Sequence, residues 1–523
     1  MKDRTVKIYN ALYSRNALWC FIAGIIYSLS FVRGYLFLFG FFGLILFYLK
    51  LFEGKDTLSV TSPFKKAFFF GLGFFIPLYS WFFVLYPFEA FEFTKIQGMF
   101  IVIIADIGLS LYHSLILAIC FLLFKIFPKN RYLLPLGAGC VFLLFEWVIS
   151  LGSFSLPWGT AAAGQYLFLP LIQNASLMGG LFIAFIINLF SSATAVFLKQ
   201  PDKKYLLYPA LSICVPLLTG TVLLALPSGN QTAIKTAALQ GNVLSMEKWG
   251  EERLDSIIDR YEKLALEAAG NGAELIVLPE SAIPTSYSPV IGERFSAISR
   301  EKGVTIIMSV ITNEGDKKYN SVFALFADGS MSEIYSKRHL VPFGEYLPAK
   351  ELIIKLFPFV SDLNLSETPF TPGENPVITL KDGTKVGCLV CFDSIFPPLA
   401  LDSARAGAEL MLVSTNDSWY EDSAGVYQHM SHSVIRAVET GKWLVRSANT
   451  GISCFVSPKG VVYSQTSPLT QTIAYQTVYT NTNRTLYSRV GDIIVILPFA
   501  FVIFSLIYKL KEKDKRNGNS ETI

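Results

Sequence analysis

Long apolar runs fill most of the first half of the chain, and short polar segments separate them. Each run is long enough to cross about 30 Å of hydrocarbon as a helix. Seven such runs precede residue 228, at about 17–32, 35–52, 67–88, 98–124, 132–151, 167–198 and 206–227. An eighth lies at about 489–508, and the polar tail KLKEKDKRNGNSETI follows it. The pattern predicts a membrane domain of about seven spans at 1–228, and a last span with its tail at 487–523.

The pattern changes between residues 231 and 486, where short β-branched or apolar runs alternate with polar, helix-like segments. The runs that predict strands are TAIKTAALQGN, AELIVLPE, VTIIMSVITN, YNSVFALF, KVGCLVCFD and AELMLVSTND. Helical patterns lie between several of them, notably at 247–269 and 423–441. This alternation predicts a layered α/β or α+β domain at 231–486, inserted between two parts of a helical membrane bundle.

Composition agrees with a chain that is largely embedded in a membrane. Hydrophobic residues make up 52% of the sequence and charged residues 16%, and the mean hydropathy is +0.45. A soluble globular domain has a less apolar profile. The net charge is only +4, and no block of Lys and Arg with interleaved aromatic residues indicates a nucleic-acid surface. We therefore expect no nucleic-acid partner.

Positive charges fall in alternate segments between the predicted spans. Cytoplasmic loops of membrane proteins hold an excess of Lys and Arg. The cations on one side are Lys2, Arg4, Lys7, Lys50, Lys55, Lys65, Lys66, Lys125, Lys129, Arg131, Lys199, Lys203, Lys204 and those from Lys509 to Arg516. The loops on the other side contain few cations. We expect both termini in the cytoplasm and region 231–486 outside it, which in a bacterium is the periplasm.

A few polar features lie within or beside the predicted spans. Asp106 and Glu146 are ionisable residues in apolar surroundings, where a functional site is the default interpretation. Polar groups also hold helices together within a membrane, so both interpretations remain open. The uncharged segment SFSLPWGTAAAGQY contains Trp158, and aromatic residues often rest at the lipid interface. For this loop we expect anchoring at the interface, with lipid access as the alternative.

The segment KVGCLVCFDSIFPP carries the clearest candidate nucleophile. Cys391 closes an apparently buried strand, and Asp393 and Ser394 can begin a helix directly after it. The positive end of a helix favours a thiolate, so Cys391 is expected to be reactive. Cys388 completes a C-x-x-C spacing that is also found in redox and metal sites. Residues three apart on a strand face opposite sides, however, which argues against such a pair.

Candidate partners for this thiol lie in other segments. Glu280 follows an apolar run and Pro279, at the carboxyl end of a predicted strand where sites of α/β sheets gather. Lys337 likewise follows a strand, and Glu345 is nearby in sequence. Each residue alone is equally compatible with a solvated loop. The pair QHMSH places His429 and His432 at helical spacing, but no carboxylate-rich segment accompanies them, so we expect both on a helix surface.

Missing motifs exclude several classes of enzyme. The chain contains no G-x-S-x-G segment of a serine hydrolase and no G-x-x-x-x-G-K-[ST] loop for a nucleotide. No histidine is followed five positions later by Asp, so the His-x4-Asp acyltransferase arrangement is also missing. We therefore expect neither serine chemistry nor a nucleotide cofactor.

Four segments together resemble a known superfamily. LPESAIP, YSKRHLVPFGEYLP, CLVCFDSIFP and STNDSWY with QHMSHSVIRAVETGKWLVRSANTGIS are similar to the Glu-Lys-Cys segments of the nitrilase (carbon–nitrogen hydrolase) superfamily. Spans on both sides of such a domain, the segment LVPFGEYLP and EKW at 247–249 resemble the apolipoprotein N-acyltransferases of Gram-negative-type bacteria. The resemblance implies that residues 231–486 fold as an αββα sandwich.

The resemblance also implies roles for individual residues. It implies Glu280 as general base, Lys337 as oxyanion stabiliser and Cys391 as nucleophile. The residues for which it implies supporting roles are Trp249, Asn320, Glu345 and Asp393. Phe392 and Asp393 depart from the family pattern, in which many relatives have Tyr and Glu.

The implied reaction moves a fatty acyl chain from a membrane phospholipid, through a cysteine thioester, to the N-terminal amine of diacylglyceryl-cysteine on lipoproteins. It needs no cofactor and no metal. A membrane-tethered amidase or nitrilase would use the same three residues to hydrolyse a carbon–nitrogen bond. A catalytically silent scaffold or transporter is a second alternative, which the complete Glu, Lys and Cys set disfavours.

Overall fold

The computed structural model describes residues 15–53, 58–87, 94–244, 248, 253–342, 344–348, 350–356 and 369–520. The helices, numbered in chain order, are α1 (Arg15–Ser28), α2 (Leu38–Leu51), α3 (Pro63–Tyr79), α4 (Lys95–Phe121), α5 (Leu133–Val148), α6 (Leu169–Ile172), α7 (Ala175–Met178), α8 (Gly180–Lys199), α9 (Leu207–Ala225), α10 (Leu254–Gly270), α11 (Pro289–Lys302), α12 (Lys350–Leu356), α13 (Pro397–Arg405), α14 (Ala424–Thr440), α15 (Leu486–Val490) and α16 (Ile496–Ser520). The strands are β1 (Phe52–Glu53), β2 (Ser59–Val60), β3 (Ala233–Gln240), β4 (Leu275–Val277), β5 (Thr305–Glu314), β6 (Lys317–Leu325), β7 (Tyr335–Ser336), β8 (Val377–Thr379), β9 (Lys385–Val390), β10 (Leu410–Thr415), β11 (Leu444–Ala448), β12 (Cys454–Val456), β13 (Val462–Tyr463) and β14 (Thr472–Tyr479).

Apolar helices make up the first part of the molecule and its last helix. Within the described residues, six helical stretches are long and apolar enough to cross a membrane: Gly34–Leu51, Pro63–Leu85, Lys95–Lys125, Gly180–Lys199, Leu207–Ala225 and Ile493–Asp514. Two shorter apolar helices, Asn16–Phe31 and Leu133–Val148, accompany them. Each of these stretches overlaps one of the apolar runs that predicted a span.

The apolar run at 167–198 is not a single helix, contrary to the simplest interpretation of its length. Helices α6 and α7 each form about one turn, and α8 begins only at Gly180. Gly179 separates α7 from α8 with a φ of +75°, a conformation that glycine adopts without steric penalty. The break places the amino end of α8 beside helix α14, where the Gly180 backbone N–H donates to Glu439 Oε1.

Two six-stranded sheets form the core of the region between the membrane segments. One sheet has the order β14-β3-β4-β5-β6-β7, and the other has the order β13-β12-β11-β10-β9-β8. The central pairs β3–β4, β4–β5, β9–β10 and β10–β11 are parallel, and the outer pairs are antiparallel. Parallel central strands need helical crossovers, which the intervening helices supply.

Alternation along the strands divides their side chains between two faces. Val277 and Ile307 of the first sheet share a buried cluster with Val386 and Leu412 of the second, so the sheets pack face to face. On its other face the first sheet packs against α10 and α11. The second sheet packs against α13 and α14. The layers are therefore helix, sheet, sheet and helix, which confirms the αββα sandwich.

Helix α14 connects the sandwich to the membrane helices through direct side-chain packing. Its residues Val434 and Ile435 belong to the same buried cluster as Leu78 of α3 and Ile172 of α6. The described part of the second sheet thus rests, through one helix, on the membrane domain. The carboxyl ends of β4, β9 and β10 and the loop after β7 carry the candidate functional residues.

Candidate active site

Cys391 lies at a sharp turn directly after strand β9. A 3-10 helix, Cys391–Ile395, begins at this residue. Its φ of +49° is in the left-handed region, which a residue with a Cβ occupies only when the surrounding structure enforces it. The Ser394 hydroxyl donates a 2.7 Å hydrogen bond to the Cys391 carbonyl oxygen and helps to close the turn. The predicted helix start is present, but in the form of a short 3-10 helix.

The expectation that this helix start favours a thiolate is wrong in direction. Burial raises the pKa of the Cys391 thiol, and the nearby Glu280 carboxylate raises it further. Lys337 opposes both effects without overcoming them. A five-residue 3-10 helix has a weak dipole, whereas desolvation of a buried charge is expensive. The raised pKa therefore favours the thiol form of Cys391 over the thiolate.

Glu280 is held at the end of strand β4 by two fixed donors. The Asn320 side-chain amide donates to its Oε1 at 2.7 Å. The Asn416 backbone N–H donates to its Oε2 at 2.8 Å. The residue is 6% exposed. Asn320 therefore lies in the site as the resemblance implied, and Asn416 joins it although no sequence pattern indicated it.

Lys337 follows strand β7 and lies between two carboxylates. Its Nζ is 2.9 Å from Glu345 Oε1 and 3.6 Å from Glu280 Oε1. Burial lowers the pKa of Lys337, but the two carboxylates outweigh burial and hold it above its usual range. The second oxygen of Glu345 accepts from the Val341 backbone N–H at 2.8 Å, which fixes its orientation. Lys337 is therefore a permanently charged ammonium group with almost no exposure.

Asp393 ties the Lys337 loop to the cysteine turn. Its Oδ2 accepts from the Tyr335 hydroxyl at 2.6 Å and from the Val390 backbone N–H at 3.0 Å. Its Oδ1 accepts from the His339 backbone N–H at 2.7 Å. Burial raises the pKa of Asp393, and Lys337 and these donors oppose the rise. The shorter Asp thus makes a complete set of bonds where many relatives have Glu.

Trp249, the remaining predicted supporting residue, lies outside the described residues. Its neighbour Lys248 is described and is buried in the site. The Lys248 ammonium donates to the Glu280 carbonyl oxygen at 3.2 Å. Burial lowers the pKa of Lys248 to about 8, against the opposing effects of Glu280 and Cys391. No sequence pattern distinguishes this lysine from its exposed counterparts.

A buried polar cluster lies behind the cysteine turn. His429 Nδ1 is 2.8 Å from Asp417 Oδ1, and Arg446 donates to Asp417 Oδ2 at 2.7 Å. Burial raises the pKa of Asp417, but Arg446 and His429 outweigh burial and hold it below its usual range. The expectation that His429 and His432 lie on a helix surface is wrong, since both are almost completely buried. Helix α14 is covered by the sheet on one side and by the membrane domain on the other.

The loop at 152–166 of the membrane domain packs against this cluster. The Trp158 indole donates to Gln428 Oε1 at 2.7 Å, and His432 Nε2 donates to the Trp158 carbonyl oxygen at 2.8 Å. Trp158 is 2% exposed, so it does not rest at the lipid interface as expected. Glu146 accepts from the Ala161 backbone N–H at 2.7 Å, which favours its structural interpretation.

Asp106, the second ionisable residue that the sequence singled out, is also engaged locally. Asp106 accepts from the Ser110 hydroxyl at 3.3 Å, within helix α4.

Nearer the site, Tyr346 donates to the Ser153 carbonyl oxygen at 2.9 Å, and His339 Nε2 lies 3.3 Å from Ser155 Oγ. The loop that carries Lys337 and Glu345 thus touches the outer loop of the membrane domain. A partly buried thiol, a fixed carboxylate and a fixed ammonium together can support acyl transfer through sulfur.

Comparison with known proteins gives matches to both parts of the chain. A family model described as carbon-nitrogen hydrolase matches residues 234–486, and one described as apolipoprotein N-acyltransferase N-terminal domain matches residues 23–193. The apolipoprotein N-acyltransferase of Geobacter metallireducens is 32% identical over 377 residues, which cover 68% of this chain and 70% of that protein. Apolipoprotein N-acyltransferase 2 of Treponema denticola is 28% identical over 505 residues, or 89% of this chain and 91% of that protein. A solved amidase from Nesterenkonia sp. is 20% identical, covers 51% of this chain and 96% of its own, and superposes with a TM-score of 0.37.

Proposed function

The chain belongs to the apolipoprotein N-acyltransferase family, and we propose that it moves a fatty acyl chain from a membrane phospholipid, through a thioester on Cys391, to the N-terminal amine of diacylglyceryl-cysteine on lipoproteins. As a family member it is a bacterial integral-membrane enzyme of lipoprotein biosynthesis. The finer proposal rests on one observation. Lys337 Nζ lies 3.6 Å from Glu280 Oε1, and both charges act on the pKa of the Cys391 thiol.

In the first half-reaction, Glu280 takes the proton of the Cys391 thiol and the sulfur attacks the ester carbonyl carbon of the phospholipid. The oxyanion that forms is stabilised by the Lys337 ammonium, whose charge does not depend on the reaction step. The protonated Glu280 then donates its proton to the glycerol oxygen as the carbon–oxygen bond breaks. The products are a lysophospholipid and a thioester on Cys391.

In the second half-reaction, the α-amine of the acceptor attacks the thioester carbonyl. An α-amino group has an ordinary pKa of about 7.7–8.0, so part of it is neutral near pH 7. Glu280 takes the proton that the nitrogen loses, and this proton passes to sulfur as the carbon–sulfur bond breaks. An amide and the free thiol result. Ester, thioester and amide follow one another without a nucleotide.

The supporting residues act on these three groups and not on the substrate bonds. In this proposal Asn320 orients the base, Glu345 orients the ammonium, and Asp393 holds the nucleophile turn against the lysine loop. Their hydrogen bonds, at 2.6 to 3.0 Å, support these roles. Trp249 is proposed from the family resemblance alone.

A lipid donor is supported by the way in which the two domains meet. Helix α14 packs directly on membrane helices, and the outer loop at 152–166 contacts the segments that carry the site. A small soluble amide would need no such bundle. We accordingly divide the chain into a membrane domain at 1–228, a catalytic domain at 231–486 and a last span with its tail at 487–523.

Product identity tests the reaction. The purified protein in phospholipid vesicles is mixed with a synthetic diacylglyceryl-cysteinyl peptide, and the products are analysed by mass spectrometry. The proposal predicts N-acylated peptide and lysophospholipid in equal amounts, and none from Cys391→Ser. Free fatty acid from the vesicles as the main product, or ammonia from a supplied amide, would support the hydrolase alternative.

Orientation is a separate proposal, which rests on the distribution of Lys and Arg. It places the catalytic domain in the periplasm and both termini in the cytoplasm. A membrane-impermeant maleimide applied to intact spheroplasts should label Glu314→Cys, on the exposed end of β5, but not Lys511→Cys near the carboxyl terminus. The background for both comes from the unsubstituted protein. Labelling of Lys511→Cys alone would reverse the orientation.

A further inference from the structure

The carbonyl group of Cys391 is surrounded by two polar side chains from different elements. Ser394, within the same turn, donates its hydroxyl to this oxygen at 2.7 Å. His429, on helix α14, places its Nε2 3.2 Å from the same oxygen and 3.1 Å from Ser394 Oγ. A histidine from a separate helix therefore contacts the backbone of the proposed nucleophile.

The opposite edge of the His429 ring is fixed by charge. Its Nδ1 lies 2.8 Å from Asp417 Oδ1 and 3.1 Å from an Arg446 nitrogen; we assign the proton of Nδ1 to the shorter contact, because an ionised carboxylate only accepts hydrogen bonds. Thr415 donates to the same carboxylate oxygen at 2.8 Å, and Arg446 donates to the other at 2.7 Å. The Asp417 carboxylate is thus held in place, and it sets the direction in which Nε2 points.

The face of the ring is fixed by the membrane domain. The indole of Trp158 stacks on His429 with ring centroids 5.5 Å apart and an interplanar angle of 20°. Gln428, adjacent on α14, accepts from the same indole. With its edge held by Asp417 and its face covered by Trp158, the imidazole has a single orientation available.

The remaining ring nitrogen contacts the turn in either of its protonation states. A protonated Nε2 donates to the Cys391 carbonyl oxygen beside the Ser394 hydroxyl, whereas an unprotonated Nε2 accepts the single Ser394 hydroxyl proton in place of that carbonyl. Cys391 occupies a left-handed conformation that is unfavourable for a residue with a side chain. Such a conformation persists only where several contacts enforce it, and His429 supplies one from outside the local chain.

We propose that His429, oriented by Asp417, is a positioning residue that holds the Cys391 turn so that its sulfur faces Glu280 and Lys337. It does not touch the acyl group. The inference rests on the proposed role of Cys391 as nucleophile. A shift of about 1 Å in a reacting group lowers rates by about 100-fold, so loss of this contact is expected to reduce acylation without changing phospholipid binding.

Two substitutions separate the two edges of the ring. The side-chain amide of His429→Gln reaches the former position of Nε2 and keeps a bond to the turn, whereas that of His429→Asn reaches only the position of Nδ1 and Asp417. The rate of single-turnover acylation by phospholipid vesicles is measured for each. We expect His429→Gln to retain most of the wild-type rate and His429→Asn to lose about 100-fold, with the KM for phospholipid unchanged in both.

His432→Asn is the matched control. His432 lies one turn further along α14, is equally buried, and bonds to the Trp158 carbonyl oxygen but not to Cys391 or Ser394. We expect it to lower thermal stability while leaving the acylation rate near that of the wild type. Equal rates for His429→Asn and His429→Gln, or an equal loss in His432→Asn, would overturn the proposal.

A parallel measurement separates failure of this inference from failure of the proposed function. If the wild-type protein itself forms no thioester, the acyl mechanism is refuted whatever the variants do. Alkylation of Cys391 by iodoacetamide needs no lipid and still reports on the turn. Slower alkylation in His429→Asn than in His429→Gln would sustain the positioning role, and equal alkylation would refute it.

Discussion

Replacing Asp393 by asparagine keeps the shape of the side chain and exchanges one hydrogen-bond acceptor for a donor. In the protein, Asp393 accepts from the Tyr335 hydroxyl and from the backbone N–H groups of Val390 and His339. The tyrosine hydroxyl can reverse and accept from an amide, but a backbone N–H cannot. In either amide orientation at least one buried N–H therefore loses its partner.

The magnitude follows from these contacts. A buried donor without a partner costs about 1–3 kcal/mol, and hydrogen bonds to a charged acceptor are roughly twice as strong as neutral ones. We therefore expect Asp393→Asn to lower the free energy of unfolding of the catalytic domain by about 2–4 kcal/mol. For a domain of this size the unfolding midpoint should fall by roughly 5–15 °C. Acylation should slow as well, because the Lys337 loop is no longer tied to the cysteine turn.

The assay is thermal unfolding of the detergent-solubilised protein, followed by near-UV circular dichroism, with acylation rates measured below the transition. Asp402→Asn is the matched control, since Asp402 pairs with Arg338 at 2.7 Å but is 45% exposed. An exposed pair contributes about 0–1 kcal/mol, so its removal should shift the midpoint little. A midpoint for Asp393→Asn equal to that of Asp402→Asn would refute the role assigned to the Asp393 hydrogen bonds.

Other substitutions test neighbouring parts of the structure. Lys337→Met should lower acylation by about 10²–10³-fold, because one oxyanion donor is lost, and a burst of normal rate in stopped-flow lysophospholipid release would contradict this. Arg446→Met should lower the free energy of unfolding at pH 7 by about 3–5 kcal/mol, because it leaves the Asp417 carboxylate buried without its cation. The folded pKa of Asp417 lies below its ordinary value of 3.8. The ionised Asp417 therefore adds fully to the free energy of unfolding above about pH 4, and this stabilisation is lost as pH falls further. An Asp417→Asn variant whose stability has the same acid dependence as the wild type would refute this. Trp158→Phe should lower the free energy of unfolding by about 1–3 kcal/mol through the lost bond to Gln428, and an unchanged unfolding midpoint would show that the loop contact contributes nothing.

The periodicity of apolar residues was sufficient to predict the layered architecture, because the strands follow the two-residue alternation closely. Val386, Cys388 and Val390 alternate along β9 so that all three face the first sheet, and the predicted helix at 423–441 is observed as Ala424–Thr440. The predicted helix at 247–269 is observed from Leu254 to Gly270, while part of its start lies outside the described residues. Residues at the carboxyl ends of strands converge for topological reasons, which is why Glu280 and Cys391 could be selected from local context.

Contacts between distant segments are not encoded in any local pattern. His429 and His432 were expected at a surface because a buried helix with polar side chains looks amphipathic in sequence. Their partners include Trp158, which is more than 270 residues away in the chain. Lys248 and Asn416 could not be predicted for the same reason. Each is recognised as part of the site by its hydrogen bond to Glu280, a residue distant in the sequence.

The direction of the Cys391 pKa could not be predicted from the helix that follows it. The dipole of the following helix is a local property, whereas burial of the thiol depends on segments that lie far from Cys391 in the sequence. Burial dominates and raises the pKa. A thiol whose pKa is raised agrees with the base role proposed for Glu280.

The most direct measurement of the central claim is the chemical identity of an adduct on Cys391. Protein held in phospholipid vesicles without acceptor is digested, and the peptide that contains Cys391 is analysed by tandem mass spectrometry before and after neutral hydroxylamine. The account predicts a fatty acyl group on this sulfur that hydroxylamine removes and that acceptor peptide converts to amide. An acyl group on another residue, or one that persists in Cys391→Ala, would contradict it.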